Sequence, residues 1–277
     1  MPRRKQVTIV APFADGHQNS CLGLFNPKGV TNENGNLILP NDVQKWQWEC
    51  WIDYWGEVAR EKKKRNAKVV GVSMGDGADD NLHSRAGLIS AVEDIIVKVS
   101  VESLEPARKV CDELHFIAGT PAHTGSYAAI EEIIAKECEA EMDGRIGRYT
   151  SFRRYIRARG VLFDCQHVPV SNSTRQHTRG GGALRTTHEL MSEYQRRGEG
   201  VPQFALRGHV HHFEDSGMNF RPRTLFCPCW KIHGEYENKR GFVIQPIGGW
   251  YIICEEGHGT PVLKLYEPRR DKVHDTD

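Results

Sequence analysis

The sequence of 277 residues predicts an α/β protein. Short apolar runs of strand length alternate with segments of helical periodicity, which is typical of a largely parallel sheet with helices packed on it. The runs that predict buried strands are residues 7–13, 67–74, 114–118, 161–166 and 203–207. After residue 211 the pattern changes, and shorter strands that indicate antiparallel pairing are predicted at about 224–229, 242–247, 250–255 and 261–266.

The longest predicted helix covers about residues 41–65. Asn41 has Gln44 three positions later, which is the pattern of a capping box at a helix start. Tryptophans and tyrosines crowd this helix; they favour packing in a core or interface, and a base-stacking platform is the alternative. Further helices are predicted at 86–110 with a break near Pro106, at 126–140, and at 183–197 after a polar loop over 171–182.

Composition narrows the class of protein. Hydrophobic residues make up 39% of the chain, enough for a core, and no apolar run approaches the ~20 residues of a membrane span. The basic start is followed by an apolar stretch too short for a signal peptide, so we expect a cytoplasmic protein without a membrane partner. No clear linker divides the chain, and residues 1–277 are expected to form one domain, with a helical insertion at about 41–66 and C-terminal strands at about 224–266.

The eight cysteines are scattered and include no Cys-x-x-Cys pair. Most lie in apolar stretches, which predicts buried thiols rather than a disulfide framework. Cys227-Pro228-Cys229 could bind a soft metal, but no second pair exists to complete a tetrahedral site, so a structural role is favoured.

Arginine is concentrated in one part of the chain. Residues 145–223 contain 14 Arg, no Lys and 6 Asp or Glu, although the net charge of the whole chain is only +1. The planar guanidinium group suits bidentate recognition of phosphate. Arg153, Arg154 and Arg157 are therefore candidates for substrate contacts, and a solvated helix or loop face is the alternative.

Polar blocks follow the predicted strands at their carboxyl ends. Because those ends meet at one edge of the sheet in α/β folds, we expect the side chains to converge there. They are Asp15, His17, Asp76, Thr120, His123, His167, His209 and His211. Each also has a simpler interpretation: Asp76 could cap a helix, His167 could be a core histidine, and Thr120 could cap the helix after its strand.

In combination, these blocks resemble the motifs of the calcineurin-like metallophosphoesterases. The matching blocks are Asp15-Gly16-His17, Gly75-Asp76-Gly77-Ala78-Asp79, His167 and Gly208-His209-Val210-His211. The resemblance implies a four-layer α-β-β-α sandwich of two mixed sheets. One block departs from the family pattern. The family has Asn followed directly by His, whereas here Thr120 stands in the place of Asn and Pro121-Ala122 separates it from His123. This Gly-Thr-Pro-Ala-His form resembles phage and prophage members, which implies a virus-encoded protein acting in the host cytoplasm.

Carried over by position, the resemblance implies a site for two divalent metal ions. It assigns the ligands of the first ion to Asp15, His17 and His211. It assigns His167 and His209 to the second ion, with Asp76 bridging both. Carboxylates and imidazoles together suit Mn²⁺, with Zn²⁺, Fe or Ni as alternatives, rather than Ca²⁺.

The departing block leaves one ligand position open. Thr120, His123 or water could replace the family's Asn, and we assign His123 instead to protonating the leaving oxygen. Other residues near the motifs are expected to support the ligands or to lie on the surface: Asp79, His177, His188 and His212.

These assignments predict a metal-dependent phosphoesterase. Two ions ~3.5–4 Å apart can clamp a phosphoryl group and activate a bridging water, so no side-chain nucleophile is needed. We expect a phosphodiesterase or nuclease, with DNA or RNA held by the arginine-rich segment. The alternatives are a phosphomonoesterase acting on a protein or small molecule, and a non-catalytic binding scaffold of the same fold.

Overall fold

The strands predicted before residue 208 are all present in the computed structural model, which describes residues 6–80, 87–170, 180–234, 238–239 and 241–268. In chain order the strands are β1 Thr8–Phe13, β2 Val30–Thr31, β3 Leu37–Ile38, β4 Lys68–Ser73, β5 Glu113–Ile117, β6 Thr150–Ser151, β7 Arg153–Ala158, β8 Val161–Gln166, β9 Phe204–Arg207, β10 Glu214–Asp215, β11 Arg223–Phe226, β12 Ile247–Glu255 and β13 His258–Tyr266.

The helices of the described residues are α1 Asp42–Arg65, α2 Glu93–Ser103, α3 Glu105–Val110, α4 Pro121–Thr124, α5 Ala129–Glu137 and α6 Gly181–Arg197. The predicted helix at 86–110 is shorter than expected and begins at Glu93. It is interrupted before Pro106, as predicted, because a proline is tolerated only in the first turn of the new helix. A short 3₁₀ turn, Ser126–Ala128, replaces the start of the helix predicted at 126–140. None of these helices is long and apolar enough to cross a membrane.

Helix α1 starts with the predicted capping box. The Gln44 backbone N–H donates to Asn41 Oδ1 at 2.9 Å, and the Asn41 N–H donates to Gln44 Oε1 at 3.1 Å. The aromatic side chains of its inner face are buried, and the rings of Trp51 and Trp55 lie edge-on to Phe13 of β1. These two tryptophans are therefore core residues, as the sequence favoured, and their rings are not available to stack on bases.

Two mixed sheets form the middle of the protein. The first has the strand order β13-β12-β1-β4-β5-β6, in which β1, β4, β5 and β6 are parallel. The second has the order β10-β11-β9-β8-β7, in which β11, β9 and β8 are parallel and β7 is antiparallel to β8.

The alternation of side chains along β1 between the two faces of the first sheet explains how the layers are arranged. Ile9 and Phe13 point to the helices that cover the first sheet, and Val10, between them, points to the second sheet. Helix α6 covers the far side of the second sheet, where Leu190 and Tyr194 pack on Ala205. The result is the expected four-layer α-β-β-α sandwich, in which full burial of each aliphatic side chain contributes roughly 1.5–3 kcal/mol.

The C-terminal strands differ from the prediction in two places. Residues 242–246 contain no strand, and β11 pairs in parallel with β9 instead of joining an antiparallel run. The last two predicted strands are one long hairpin, β12 and β13, which pair antiparallel from Ile247 to Tyr266. No disulfide links any of the eight cysteines, all of which lie in described residues, and six are buried. Cys227 and Cys229 of the Cys-Pro-Cys sequence are both buried as free thiols, in agreement with a structural role.

Candidate metal centre

The structure brings all the predicted strand-end side chains to one edge of the sandwich. β1, β4 and β5 of the first sheet and β8 and β9 of the second end there, and each is followed within about three residues by an Asp, Thr or His block. Two groups have ligand atoms that all lie within 4.8 Å of one another: Asp15, His17 and His211, and Asp76, His167 and His209. These are the groups that the resemblance implies, and the bridging role of Asp76 stays a prediction.

The backbone at this edge is strained. Five of the residues in these two groups have left-handed φ angles: Asp15 at 53°, His17 at 43°, Asp76 at 50°, His209 at 71° and His211 at 57°. Each such angle costs a non-glycine residue roughly 1–2 kcal/mol, and such strain concentrates at functional sites. Backbone hydrogen bonds hold the turns together, among them His17 N–H to the Asp76 carbonyl at 3.1 Å.

Glycine is required where these turns approach one another. A Cβ on Gly208 would lie 3.0 Å from His167 Nδ1 and 3.1 Å from Asp15 Oδ2. A Cβ on Gly119 would lie only 2.3 Å from Asp76 Oδ1. The turns that carry the two groups can therefore pack against each other, because Gly119 and Gly208 have no side chains that would collide there.

Hydrogen bonds on Nδ1 orient two of the rings. His167 Nδ1 donates to the Met74 carbonyl at 2.6 Å, and His17 Nδ1 donates to Asp79 Oδ1 at 3.0 Å. A proton on Nδ1 leaves Nε2 as the coordinating atom, which is how ligand histidines are usually arranged. The Nε2 atom of His17 then lies 3.2 Å from Nε2 of His211, and His211 Nε2 lies 3.4 Å from Asp15 Oδ1.

The charges and polar atoms of this cluster fit a divalent cation. Asp15 is completely buried, and its Oδ1 atom has no hydrogen-bond partner, which is costly for a carboxylate. Burial would raise the pKa of Asp76, but the charge and hydrogen bond of His167 together with the charges of His17 and His123 outweigh it and hold that pKa well below its usual range. Burial would lower the pKa of His167, but Asp76 raises it to about 9. Burial, followed by the charge of Asp76, also raises the pKa of the nearby Glu131 to about 7. Without a metal, a protonated His167 therefore balances Asp76, and a divalent cation could take the place of that proton. The oxygen and nitrogen donors suit Mn²⁺, Zn²⁺, Fe or Ni.

Asp79 has a larger part in the site than its sequence position suggested. It is buried, and its Oδ1 atom accepts from both His17 Nδ1 and His123 Nδ1, the second at 2.5 Å. His123 itself is partly exposed, and its ring lies 4.5 Å from that of His17. These three side chains also form a group that could hold an ion, so the structure does not exclude His123 as a ligand. The Gly-Asp-x-x-Asp spacing was the sequence signal that could have placed Asp79 here.

Thr120 contacts Asp76 directly. Its backbone N–H donates to Asp76 Oδ1 at 2.6 Å, and its hydroxyl lies 3.1 Å from both carboxylate oxygens. Although Thr120 precedes α4, its side chain makes no capping hydrogen bond. The interpretation of Thr120 as a helix cap is therefore wrong for its hydroxyl group. The role of Thr120 as a metal ligand stays a prediction.

The three arginines assigned to substrate contacts have other surroundings. Arg153 forms a bidentate ion pair with Asp164 and also donates to Glu193 at 2.7 Å. Arg154 is buried and donates to the Glu141 carbonyl at 2.8 Å. Arg157 pairs with Leu162 across the strands, five residues before His167, which is about 16 Å along β8. These surroundings reduce the support for the assignment, which stays a prediction, because two of the guanidinium groups have partners inside the protein and the third lies far from the centre.

The remaining histidines near the motifs differ in environment. His212 is buried and its Nε2 lies 2.9 Å from Glu214 Oε1, whereas His188 of α6 packs on the ring of Phe220. His177 lies outside the described residues.

No family model and no curated protein sequence matches this chain. Two solved structures are similar over 94% of it, both with a TM-score of 0.37. One is Chaetomium thermophilum Vps29, at 7% identity with 97% of that chain covered. The other is a 5′-nucleotidase precursor from Thermus thermophilus, at 10% identity, and the match spans 55% of that protein's length. Similarity at this level supports no conclusion about activity, so the functional argument depends on the geometry of the site.

Proposed function

We propose that this protein is a metal-dependent phosphoesterase that hydrolyses phosphate esters with water. One observation carries the proposal: two Asp and His groups lie side by side at the strand ends, and the buried Oδ1 of Asp15 in the first of them accepts no hydrogen bond and lies 3.4 Å from His211 Nε2. In the proposed site, Asp15, His17 and His211 would hold one ion, His167 and His209 would hold the other, and Asp76 would contribute to both. Two bound ions would polarise the phosphate and lower the pKa of water, which is the chemistry needed to attack phosphorus.

The protein's own residues would handle the leaving group. The Asp79 carboxylate accepts the Nδ1 proton of His123, which fixes the orientation of the ring. When the other ring nitrogen, Nε2, also carries a proton, it can give that proton to the leaving oxygen as the P–O bond breaks. Asp79 also orients His17 through the same oxygen atom, so it links the proposed acid to the proposed ligands.

We propose that the substrate is a phosphodiester and, more specifically, a nucleic acid. Its original support was the arginine excess, which the structure weakens because Arg153 and Arg207 form ion pairs with the buried Asp164, and Arg223 pairs with Asp215 at the surface. A phosphomonoester is therefore the direct competitor. A binding scaffold without activity is the third outcome.

Hydrolysis assays separate these three outcomes. Protein stripped with a chelator and reloaded with Mn²⁺ would be assayed on bis-p-nitrophenyl phosphate and on p-nitrophenyl phosphate, with metal content measured by elemental analysis. We expect Mn²⁺-dependent hydrolysis that is faster on the diester. Faster hydrolysis of the monoester would replace the diester proposal, and a protein that neither binds nor uses Mn²⁺, Zn²⁺, Fe or Ni would be a scaffold.

A further inference from the structure

A buried carboxylate lies directly behind the Asp76 group. Glu131 is in the first turn of α5 and is only 1% exposed. One of its oxygens accepts the backbone N–H of Gly77 at 2.9 Å, and the other accepts that of Gly119 at 2.7 Å. The two donors belong to different turns, one after β4 and the other after β5. Glu131 therefore ties together two turns that the sequence separates by about forty residues.

The tied turns carry the residues that surround the Asp76 carboxylate. Gly77 follows Asp76 in the chain, and Gly119 precedes Thr120, whose N–H and hydroxyl both contact Asp76. The space between the turns is so narrow that a Cβ on Gly119 would overlap Asp76 Oδ1. The separation of these two turns therefore sets where the Asp76 carboxylate points, and it faces His167 Nε2 at 3.0 Å.

Only a carboxylate can make both of these hydrogen bonds. Both partners are N–H donors, so both oxygens must accept. A glutamine of the same shape would place its NH₂ group against one of the two N–H groups and leave that donor without an acceptor. A buried donor without an acceptor is unfavourable, so the substitution would remove the restraint that holds the two turns together.

We propose that Glu131 is a positioning residue of the metal centre, holding the Gly77 and Gly119 turns at the spacing at which Asp76 faces His167 and His209. This inference rests on the proposed function, since it assumes that the Asp76 group binds an ion. In this role Glu131 does not touch the substrate or the metal. Glu131 acts on the site only through the two turns.

The test compares Glu131→Gln with Glu132→Gln, which is a matched control on the same helix. Glu132 also accepts backbone N–H groups, those of Tyr149 and Thr150 at 2.8 and 2.9 Å, but these belong to β6 and its preceding residue, away from Asp76. Mn²⁺ binding would be titrated by calorimetry and thermal unfolding measured for both variants. For Glu131→Gln we expect the Mn²⁺ affinity to fall by about 10- to 100-fold, as is typical for loss of a supporting contact. At saturating Mn²⁺, kcat should fall while KM stays the same. Glu132→Gln should lose stability without losing affinity.

A second variant covers the case in which Glu131→Gln does not fold. Gly119→Ala leaves Glu131 in place but puts a methyl group 2.3 Å from Asp76 Oδ1 and 2.4 Å from the Asp76 backbone nitrogen, so it must change the spacing of the two turns and should also weaken Mn²⁺ binding. The proposal is overturned if the folded Glu131→Gln protein binds both ions with wild-type affinity, if Glu132→Gln weakens Mn²⁺ binding equally, or if Gly119→Ala leaves both affinities unchanged. A wild-type protein that binds no metal overturns the proposed function as well, whereas an active wild type with an unaffected Glu131→Gln variant overturns this inference alone.

Discussion

Two clusters of buried charge lie on the same two strands and are neutralised in opposite ways. The first surrounds Asp164 of β8 and Arg207 of β9, both of which are completely buried. The second is the metal centre, and two of its histidines, His167 and His209, follow the same strands within three residues. We refer to them as the arginine cluster and the metal centre.

In the arginine cluster the protein supplies the cations itself. Asp164 receives two hydrogen bonds from Arg153 and one from Arg207 at 3.0 Å, and the hydroxyl of Tyr194 adds another at 2.9 Å. Burial would raise the pKa of Asp164, but the charge of Arg207, followed by Arg153, holds that pKa below its usual value. The carboxylate is thus matched to guanidinium groups with good geometry, which is what makes a buried ion pair tolerable.

In the metal centre the carboxylates of Asp15 and Asp76 face imidazoles. Among the described residues, neither acid accepts a hydrogen bond from Arg or Lys, and Asp15 Oδ1 has no hydrogen-bond partner. An imidazole can neutralise a carboxylate only by binding a second proton, whereas as a neutral ring it is a metal ligand. In this protein the acid of the arginine cluster is matched by cations of the chain itself, whereas the acids of the metal centre face donors that a divalent cation can bind.

The largest effect is expected when one charge is removed from the metal centre. Asp76→Asn should nearly abolish hydrolysis while the fold remains intact, because Asp76 is proposed to lie between two cations and its loss weakens both. Turnover with Mn²⁺ and the circular dichroism spectrum would be measured together. Near-wild-type turnover would contradict the assignment of Asp76.

The same substitution in the arginine cluster should affect stability instead. Asp164→Asn leaves Arg207 buried without its counter-charge and leaves Arg153 with Glu193 alone, and breaking a buried pair in this way costs about 3–5 kcal/mol of unfolding free energy. Urea unfolding measures the cost. The Mn²⁺ affinity of the folded variant should match the wild type, and a loss of affinity would show that the two clusters are coupled through β8.

Removing the proposed acid should lower the rate more than the metal content. His123→Ala is expected to lower turnover by about 10²- to 10⁴-fold, the usual contribution of a general acid. The defect should shrink for esters whose leaving groups need no proton. If equilibrium titration shows instead that the variant has lost one ion, His123 is a ligand and Asp79 holds it in that position.

The smallest effect is expected at Arg157. Since this side chain lies far along β7 from the centre, Arg157→Gln should change neither stability nor hydrolysis of a small diester. The salt dependence of DNA binding by the wild type and the variant would be compared, because each lost phosphate contact flattens that dependence. A flatter slope for the variant would restore the polynucleotide interpretation of the arginine-rich segment.

The sequence by itself determined the strand ends and the side chains placed on them. Asp15, His17, Asp76, His167, His209 and His211 are in the predicted place because each directly follows an apolar strand, and parallel strands bring such positions to one edge. The capping box of α1 was equally predictable, since both of its partners lie within one helical turn. Local pattern failed at residues 242–246, an apolar stretch that does not form a strand in the structure.

Only the tertiary structure decided which partner each charged side chain has. Asp79 lies 62 residues from His17 and 44 from His123, Arg153 lies 40 from Glu193, and Glu131 lies 54 from Gly77. Composition showed an arginine excess that could have served a nucleic acid, but the packing of α6 on the second sheet brings Glu193 to Arg153, and the pairing of β7 with β8 brings Asp164. Periodicity specifies which face of an element is buried, but which residues meet across two buried faces depends on how the elements pack. The packing therefore decides that the arginines pair with acids of the chain and that the histidines gather beside Asp15 and Asp76.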